Sequence, residues 1–232
     1  MPDPFCAYEL RTHDPAVARS FYAALTLVWR DDVLHCTQLP ERAVARGARP
    51  HWVGHLGVAD VAATAAELLA HGAEALGPAR HDADGAPILV LRDPFGAIVG
   101  LRTRASAPPP DVVAWHQHLA SDDARAFALY TARFGWTATA TFDATPPLGS
   151  IRGFAWRDDG PSVGGMASIA NAPAVHPQWL YFFPVADLEA AVAVVRARGG
   201  VALDVVRRPN GDRLVVCDDP QGAAFGLLQR AP

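Results

Sequence analysis

Glu9 is the residue of this sequence that is best suited to acid–base chemistry. It lies in AYELRTHD, residues 7–14, and its counterpart in the related segment WHQHLASD, residues 115–122, is Gln117. A carboxylate buried against apolar walls has a raised pKa, which suits a general base at neutral pH. An amide does not titrate, so the second segment offers no equivalent base. Arg102 is a candidate ion-pair partner for Glu9.

Other catalytic chemistries are excluded or disfavoured by composition. The chain contains no lysine, and all 20 of its positive charges are arginine. Schiff-base catalysis and phosphate-binding P-loops both need a lysine, so both are excluded. The three cysteines, Cys6, Cys36 and Cys217, are odd in number and far apart. They predict reduced thiols in a cytoplasmic protein rather than a disulfide framework.

The charge and hydropathy of the chain exclude two kinds of partner. The net charge is −4 and no basic stripe is present, so we expect no nucleic-acid partner. No stretch approaches the roughly 20 apolar residues that span a bilayer, so we expect no membrane partner. The start, MPDPFCAYEL, lacks the features of a signal peptide. Half of the residues are hydrophobic, which is enough for a sizeable core.

The chain repeats three phrases in the same order. DPFGAIVGL, residues 93–101, returns as DPQGAAFGL at 219–227. AYELRTHDPAVARSFY, residues 7–22, returns as WHQHLASDDARAFALY at 115–130, and the Trp and Val-Ala-Asp of 52–60 return at 179–187. This pattern indicates an internal duplication.

Each half is itself double. A strand, an aspartate that begins a helix, and further short strands recur four times, which predicts four β-α-β-β-β modules in an α+β fold. The first module is shortened, because Trp29 to Trp52 spans 23 residues and the matching Trp136 to Trp179 spans 43. We predict lobe one over 1–104, a proline-rich linker over 105–111 and lobe two over 112–232, with two modules in each lobe.

These phrases resemble the vicinal oxygen chelate superfamily, which contains glyoxalases, bleomycin-resistance proteins and extradiol dioxygenases. The resemblance covers essentially the whole chain and implies modules paired into two curled-sheet lobes around ligand cavities. It says little about activity, because one fold hosts many functions.

The resemblance also implies where a divalent metal would be bound. Its ligands, usually His, Glu or Gln, lie seven residues before the first helix-capping aspartate, six before the second, and seven after the aspartate of DPxG. The corresponding residues here are Ala7, Gly54, Gly100, Trp115, Tyr181 and Gly226. None is an ordinary metal ligand, so we expect no metal and no other cofactor.

Strand alternation then predicts which side chains line the cavities, because residues of one parity share a face. Besides Glu9 as the catalytic candidate, the predicted ligand-binding residues are Trp52, Gly54, Gly100, Arg102, Trp115, Gln117, Trp179, Tyr181, Phe183 and Gly226. Lobe two would be walled by aromatic rings and lobe one would be roomier.

Two functions of different classes follow, and the sequence leaves both open. The first is a metal-independent protein that binds a hydrophobic or aromatic small molecule, of the sequestration or resistance type. The second is a metal-free lyase, isomerase or cyclase with Glu9 as general base. A metal-dependent glyoxalase or dioxygenase is disfavoured by the six missing ligands. The expected partner is a small molecule, and the chain is a monomer or a homodimer.

Overall fold

A computed structural model describes residues 3–25, 27, 29, 32–82, 85–103, 112–143 and 148–231. The helices are α1 (Pro15–Ala24), α2 (Glu41–Val44), α3 (Val61–Ala70), α4 (Asp123–Phe134) and α5 (Leu188–Ala197). The strands are β1 (Phe5–Thr12), β2 (Leu34–Gln38), β3 (His51–Val58), β4 (Glu74–Ala75), β5 (Arg80–His81), β6 (Pro87–Arg92), β7 (Ile98–Thr103), β8 (Trp115–Ala120), β9 (Thr137–Asp143), β10 (Ser150–Ala155), β11 (Gly164–Ser168), β12 (Gln178–Pro184), β13 (Val201–Ala202), β14 (Val206–Arg207), β15 (Arg213–Asp218) and β16 (Ala224–Gln229).

Aspartates begin the four long helices, as predicted. In α1 the carboxylate of Asp14 accepts hydrogen bonds from the main-chain N–H groups of Ala16 (2.9 Å) and Val17 (3.1 Å). Pro15 occupies the first helical position, where no N–H is needed. The equivalent caps are Asp60, Asp122 and Asp187.

The end of α3 differs from the prediction by one residue, whereas the predicted turns agree with the structure. His71 is the C-cap of α3, and the predicted cap Gly72 follows it with φ of +96°. In the DPxG turns, Gly96 and Gly222 have φ of +100° and +91°. That left-handed backbone favours glycine, so the predicted tight turns are confirmed.

Two mixed sheets are built from these strands. Within the described residues, β1–β7 form one sheet and β8–β16 form the other, so each sheet follows one half of the sequence. Parallel pairs such as β3 with β7 stand beside antiparallel pairs such as β6 with β7. The predicted α+β class with two curled sheets is confirmed.

The modules are recognisable in the order of elements. The third module consists of β8, α4, β9, β10 and β11. In the first module, α1 is followed by a single strand, β2, over the described residues, whereas α4 of the third module is followed by three. The predicted shortening of the first module stays a prediction, because residues of that segment lie outside the described part of the chain. Among the described helices, none is long and apolar enough to cross a bilayer.

Compact unit one consists of Met1–Ala7, Gly54–Pro108 and His116–Trp179. It contains the strand order β3-β7-β6-β4, with β5 also on β6, and the order β8-β11-β10-β9. Its buried side chains include Leu91, Leu101, Tyr130, Phe134 and Phe154.

Compact unit two consists of Tyr8–Val53, Pro109–Trp115 and Leu180–Pro232. It contains β1 paired with β2, and the order β12-β16-β15-β13 with β14 also on β15. Each unit thus takes chain from both predicted lobes. The predicted linker 105–111 lies outside the described residues, and the lobe boundaries remain a prediction.

Candidate functional site

In unit one, a histidine ring covers the glycine that ends the first DPxG phrase. His55 on β3 is the registered partner of Gly100 on the parallel strand β7. Registered partners point to the same side of a sheet, and a Cβ placed on Gly100 would overlap the His55 imidazole. We call this side of the sheet the glycine face of unit one.

Unit two repeats the arrangement with a phenylalanine. Phe182 on β12 is the registered partner of Gly226 on β16, and a Cβ on Gly226 would overlap the Phe182 ring. We call this side the glycine face of unit two. The repeated glycines are therefore required by the rings that lie over them.

The registers of β3 with β7 and of β12 with β16 correct part of the predicted cavity lining. Gly54 neighbours His55 along β3 and so faces away from Gly100, and Tyr181 and Phe183 flank Phe182 and so face away from Gly226. The offset of six residues assumed for the second module of each lobe is one residue in error, and a one-residue slip exchanges the two faces. Trp52 precedes Gly54 by two residues and Trp179 precedes Tyr181 by two residues. Both tryptophans therefore also face away from the repeated glycines.

Trp52, Trp179 and Phe183 lie on the opposite side of the sheets, where they contact tyrosines of α1 and α4. We call this side the helix face. In unit two, Trp52 and Phe183 have ring centroids 5.1 Å apart, and Tyr22 of α1 lies 5.3 Å from Trp52. Tyr181 is fully buried beside Tyr8 at 5.1 Å. Their assignment as ligand-binding residues stays a prediction, but their observed neighbours are core side chains.

The divalent metal that the fold resemblance implies does not fit these residues. The space above each glycine, where an acidic ligand would stand, is filled by the ring of His55 or Phe182. On β3, the alternating neighbour of His55 on the same face is Val53, which has no lone-pair donor. Among the described residues, no three His, Cys, Asp or Glu side chains are grouped to hold an ion.

Glu9 is buried in unit two, but among polar groups rather than apolar walls. One carboxylate oxygen accepts a hydrogen bond from Thr37 Oγ1 (2.7 Å) and the other accepts one from Arg11 Nη2 (2.9 Å). His35 pairs with Glu9 across β1 and β2 and shares its face. The carboxylate is thus held in a fixed orientation by neighbours that the sequence interpretation did not name.

Arg102, in unit one, forms its ion pair with Asp82 (3.1 Å). The pairing of Arg102 with Glu9 considered from the sequence is not what the structure shows, since each has another partner. Gln117, also in unit one, is buried and donates from Nε2 to the carbonyl of Gly165 (3.1 Å). Its amide therefore adds a side-chain hydrogen bond to the pairing of β8 with β11.

The glycine face of unit two is apolar and partly open. Val216 is the registered partner of Gly226, and Leu214 of Leu228, so these side chains share the face with Phe182. Val206 pairs with Leu214 and extends the same surface. Val206, Leu214 and Val216 are only half-buried, so part of this surface is exposed.

An arginine lies over a tryptophan in the same unit. Arg208 follows Val206 by two residues, and its guanidinium carbon lies 3.7 Å from the centroid of the Trp115 ring. Both side chains are buried. Burial lowers the pKa of Arg208 to about 10, with nearby Asp212 opposing that shift, so the guanidinium is charged at neutral pH. No local sequence pattern predicts this pair beyond the predicted role of Trp115.

On the helix face of unit one, the DPxG aspartate anchors a buried polar network. Asp93 accepts hydrogen bonds from Tyr130 Oη (3.0 Å) and His118 Nε2 (2.9 Å), and from the main-chain N–H groups of Phe95 and Ala97 (both 2.9 Å). Burial alone would raise the pKa of Asp93, but His118 and the main-chain donors hold it below its ordinary value. Trp179 Nε1 donates to Tyr130 Oη (3.2 Å) and completes the network.

Among its described residues, unit two contains the matching network without a histidine. Trp52 Nε1 donates to Tyr22 Oη (3.0 Å), and Tyr22 Oη donates to Asp219 (3.2 Å). Burial raises the pKa of Asp219, although Tyr22 and main-chain N–H groups oppose that shift. Every member of both networks lies within a repeated phrase, so the repeats themselves were the signal for this cluster.

Comparison with known proteins gives a consistent family and fold. The family model described as Glyoxalase/Bleomycin resistance protein/Dioxygenase superfamily matches residues 113–227. Two relatives, from Mycobacterium bovis and Mycobacterium tuberculosis, are each named as a candidate glyoxylase, CFP32. Each is 26% identical over 249 residues, covering 97% of this chain and 94% of the relative.

Solved structures resemble the chain along its whole length. The 2,3-dioxygenase LapB from Pseudomonas sp. KL28 has a TM-score of 0.63 and 12% identity, covering 98% of this chain and 92% of its own. The Mn(II)-bound glyoxalase from Novosphingobium aromaticivorans has a TM-score of 0.61 and 10% identity, covering 100% and 83%. At such identities the likeness shows the fold alone.

Proposed function

Because the chain belongs to the Glyoxalase/Bleomycin resistance protein/Dioxygenase superfamily, we propose that it is a metal-independent member that binds a hydrophobic or aromatic small molecule. Its role would be to sequester or carry that molecule. The glycine face of unit two supports this proposal above all. An apolar, half-buried surface stands there in place of lone-pair donors, with the Phe182 ring over Gly226.

The composition of that face matches what small-molecule sites require. Such sites are mostly apolar and aromatic, with a few placed polar groups. Val206, Leu214 and Val216 supply the apolar surface, and the stacked pair of Trp115 and Arg208 supplies an aromatic ring with one charged group. Binding here would rely on burial of apolar area and stacking, neither of which needs a metal.

Native mass spectrometry of protein purified without chelator tests the proposal. We expect a co-purified organic molecule, retained after EDTA treatment, and no stoichiometric metal by elemental analysis. A stoichiometric metal whose removal abolishes ligand binding would overturn the proposal.

A pair of matched variants locates the site. Val216→Phe fills the glycine face of unit two and should weaken binding of the co-purified molecule by about tenfold or more, because a ring would occupy part of its space. Val205→Phe makes the same change at an exposed residue outside that face and should leave binding unchanged. Equal effects of the two variants would place the site elsewhere.

A second candidate function is supported by the setting of Glu9. Its carboxylate is buried and oriented by Thr37 and Arg11, as a proton-transferring group in a metal-free lyase or isomerase would be. The co-purified molecule, incubated in D₂O, would then exchange a carbon-bound proton. The exchange should survive EDTA and fail in Glu9→Gln, whereas recovery of the molecule without deuterium argues for binding alone.

A further inference from the structure

A carboxylate lies at one end of the glycine face of unit two. Asp218 is the last residue of β15 and follows Val216 by two residues, so the two side chains point to the same side of the sheet. The register agrees, because Asp218 pairs with Ala224 of β16, two residues from Gly226. On its other side Asp218 pairs with Val201 of β13. Asp218 therefore belongs to the same surface as the apolar side chains of the proposed site.

The apolar surface beside Asp218 is strongly exposed at the edge of the sheet. Val201 is 56% exposed and Leu203 is 59% exposed. The main-chain N–H of Leu203 donates to the carbonyl of Val216 (2.9 Å), which places Leu203 opposite Val216. Residues two apart on a strand are separated by about 7 Å, and paired residues of neighbouring strands by about 5 Å. The backbone positions of these apolar residues therefore lie within about 9 Å of Asp218, a distance that one small molecule spans.

The Asp218 carboxylate has no compensating positive charge over the described part of the chain, where no hydrogen bond or ion pair engages it. Partial burial, and then the charge of neighbouring Asp219, raise the pKa of Asp218, as expected for a carboxylate without a cationic partner. Arg208 belongs to the turn before β15, at the end of that strand opposite to Asp218. A positive charge placed at the Asp218 end of the face would therefore be stabilised.

We propose that Asp218 is the cation-recognition residue of the glycine face of unit two, so that the ligand is a hydrophobic amine with an apolar or flat body and a protonated nitrogen at its edge. The body lies on Val201, Leu203 and Val216, and the nitrogen pairs with the carboxylate, as one placed polar group orients a ligand in a mostly apolar site. This inference rests on the proposed function and narrows it to a class of ligand. It predicts discrimination by charge between molecules of the same shape.

Benzylamine and benzyl alcohol form a suitable pair of probes, because they have nearly the same shape and only the amine is charged at neutral pH. Dissociation constants from ligand-observed NMR at low salt should favour benzylamine by about three- to fivefold in the unaltered protein, as expected for an ion pair at an exposed carboxylate. High salt should reduce that preference, because it screens exposed charges.

A matched pair of variants assigns the preference to one carboxylate. Asp218→Asn keeps the shape of the side chain and removes its charge, so it should abolish the preference for benzylamine and leave the affinity for benzyl alcohol unchanged. Asp204→Asn removes the same charge at an exposed residue of unit two between β13 and β14, and it should keep the full preference.

The outcomes separate this inference from the function on which it rests. Equal affinity for both probes in the unaltered protein overturns the role of Asp218 and leaves a neutral-ligand site intact. A preference that persists in Asp218→Asn also overturns that role. Binding of neither probe overturns the inference as well, whereas the native mass spectrum decides the proposed function separately. Because the first measurement needs no variant, a failure of Asp218→Asn to fold would not prevent the decision.

Discussion

Over the described part of the chain, the two units contain the same buried network, but a histidine joins it in unit one only. In both units a tryptophan donates to a tyrosine, and the tyrosine donates to the aspartate of a DPxG turn. His118 adds a further hydrogen bond to Asp93, whereas the repeat places Leu10 at the equivalent position in unit two. One residue therefore distinguishes two otherwise matched constructions.

The consequence is an opposite charge preference at the two aspartates. The pKa of Asp93 is lowered, so its ionised form stabilises unit one above the ordinary carboxyl range, and this contribution is lost as pH falls through the folded-state pKa. The pKa of Asp219 is raised by burial, so its contribution is present at low pH and is lost as pH rises through the folded-state pKa. The duplicated fold thus accommodates either the ionised or the protonated form of the turn aspartate. Which form is favoured depends on the hydrogen-bond donors around the carboxyl group.

Removing the aspartates should produce the largest difference between the units. Asp93→Ala leaves His118, Tyr130 and two main-chain N–H groups without their buried acceptor. We expect a loss of about 3–5 kcal/mol in the free energy of unfolding of unit one, because four donors lose one buried, charged acceptor. Asp219→Ala is the matched control and should cost about 1–3 kcal/mol, because no histidine is stranded. Hydrogen exchange resolved by unit measures both, and equal losses would show that His118 contributes nothing.

Acidification should separate the units next. His116 is fully buried in unit one, and burial lowers its pKa from 6.5 to about 4, partly offset by its hydrogen bond to the Val163 carbonyl. The unfolded chain takes up this proton first, so stability is present above pH 6.5 and is lost between pH 6.5 and about 4.

The loss from His116 alone is roughly 3 kcal/mol, at about 1.4 kcal/mol for each pH unit of that interval. Tyr8 stands at the equivalent position of the repeat in unit two, so unit two should change less. Hydrogen exchange at pH 7 and near pH 4 tests this, and His116→Phe should abolish most of the difference. A unit two that opens first in acid would contradict the assignment.

The sequence was sufficient to predict the order of elements in the modules. The prediction was wrong where a shift of one residue in strand register decides on which side of the sheet a side chain lies. Helix starts at Asp14, Asp60, Asp122 and Asp187 and the DPxG turns could be predicted, because capping and positive φ are local properties. The side of the sheet on which Gly54 lies could not be predicted, because it depends on which residue of β7 pairs with each residue of β3. Only the pairing of His55 with Gly100 fixes it.

The candidate site was harder to predict for the same reason. Arg208 meets Trp115 through a contact between residues 93 positions apart, and no local pattern encodes such a pair. By contrast, Tyr22, Tyr130, Asp93 and Asp219 all stood in repeated phrases, so their joint role could have been inferred from the repeats.

Exchanging the distinguishing residue tests the comparison directly. His118→Leu makes unit one resemble unit two and should cost about 1.5–3 kcal/mol, since a hydrogen bond to a charged acceptor is lost. It should also raise the pKa of Asp93, which carboxyl-carbon NMR titration can follow. The reciprocal Leu10→His should lower the pKa of Asp219. If neither pKa moves, the charge preference has another origin.

The tyrosines should give the smallest effect and the finest test. Tyr130→Phe and Tyr22→Phe each remove one hydroxyl that donates to an aspartate and accepts from a tryptophan, at a cost of about 1 kcal/mol. We expect the larger cost in unit one, where the aspartate pKa is lowered and a charged acceptor makes the stronger hydrogen bond. In a His118→Leu background this difference should shrink, because the acceptor in unit one would then lose its preference for the charged form. Urea unfolding of the unaltered protein, of His118→Leu, of the two tyrosine variants and of the two double variants measures it, and a difference that persists would mean that geometry, rather than charge, sets the strength of these bonds.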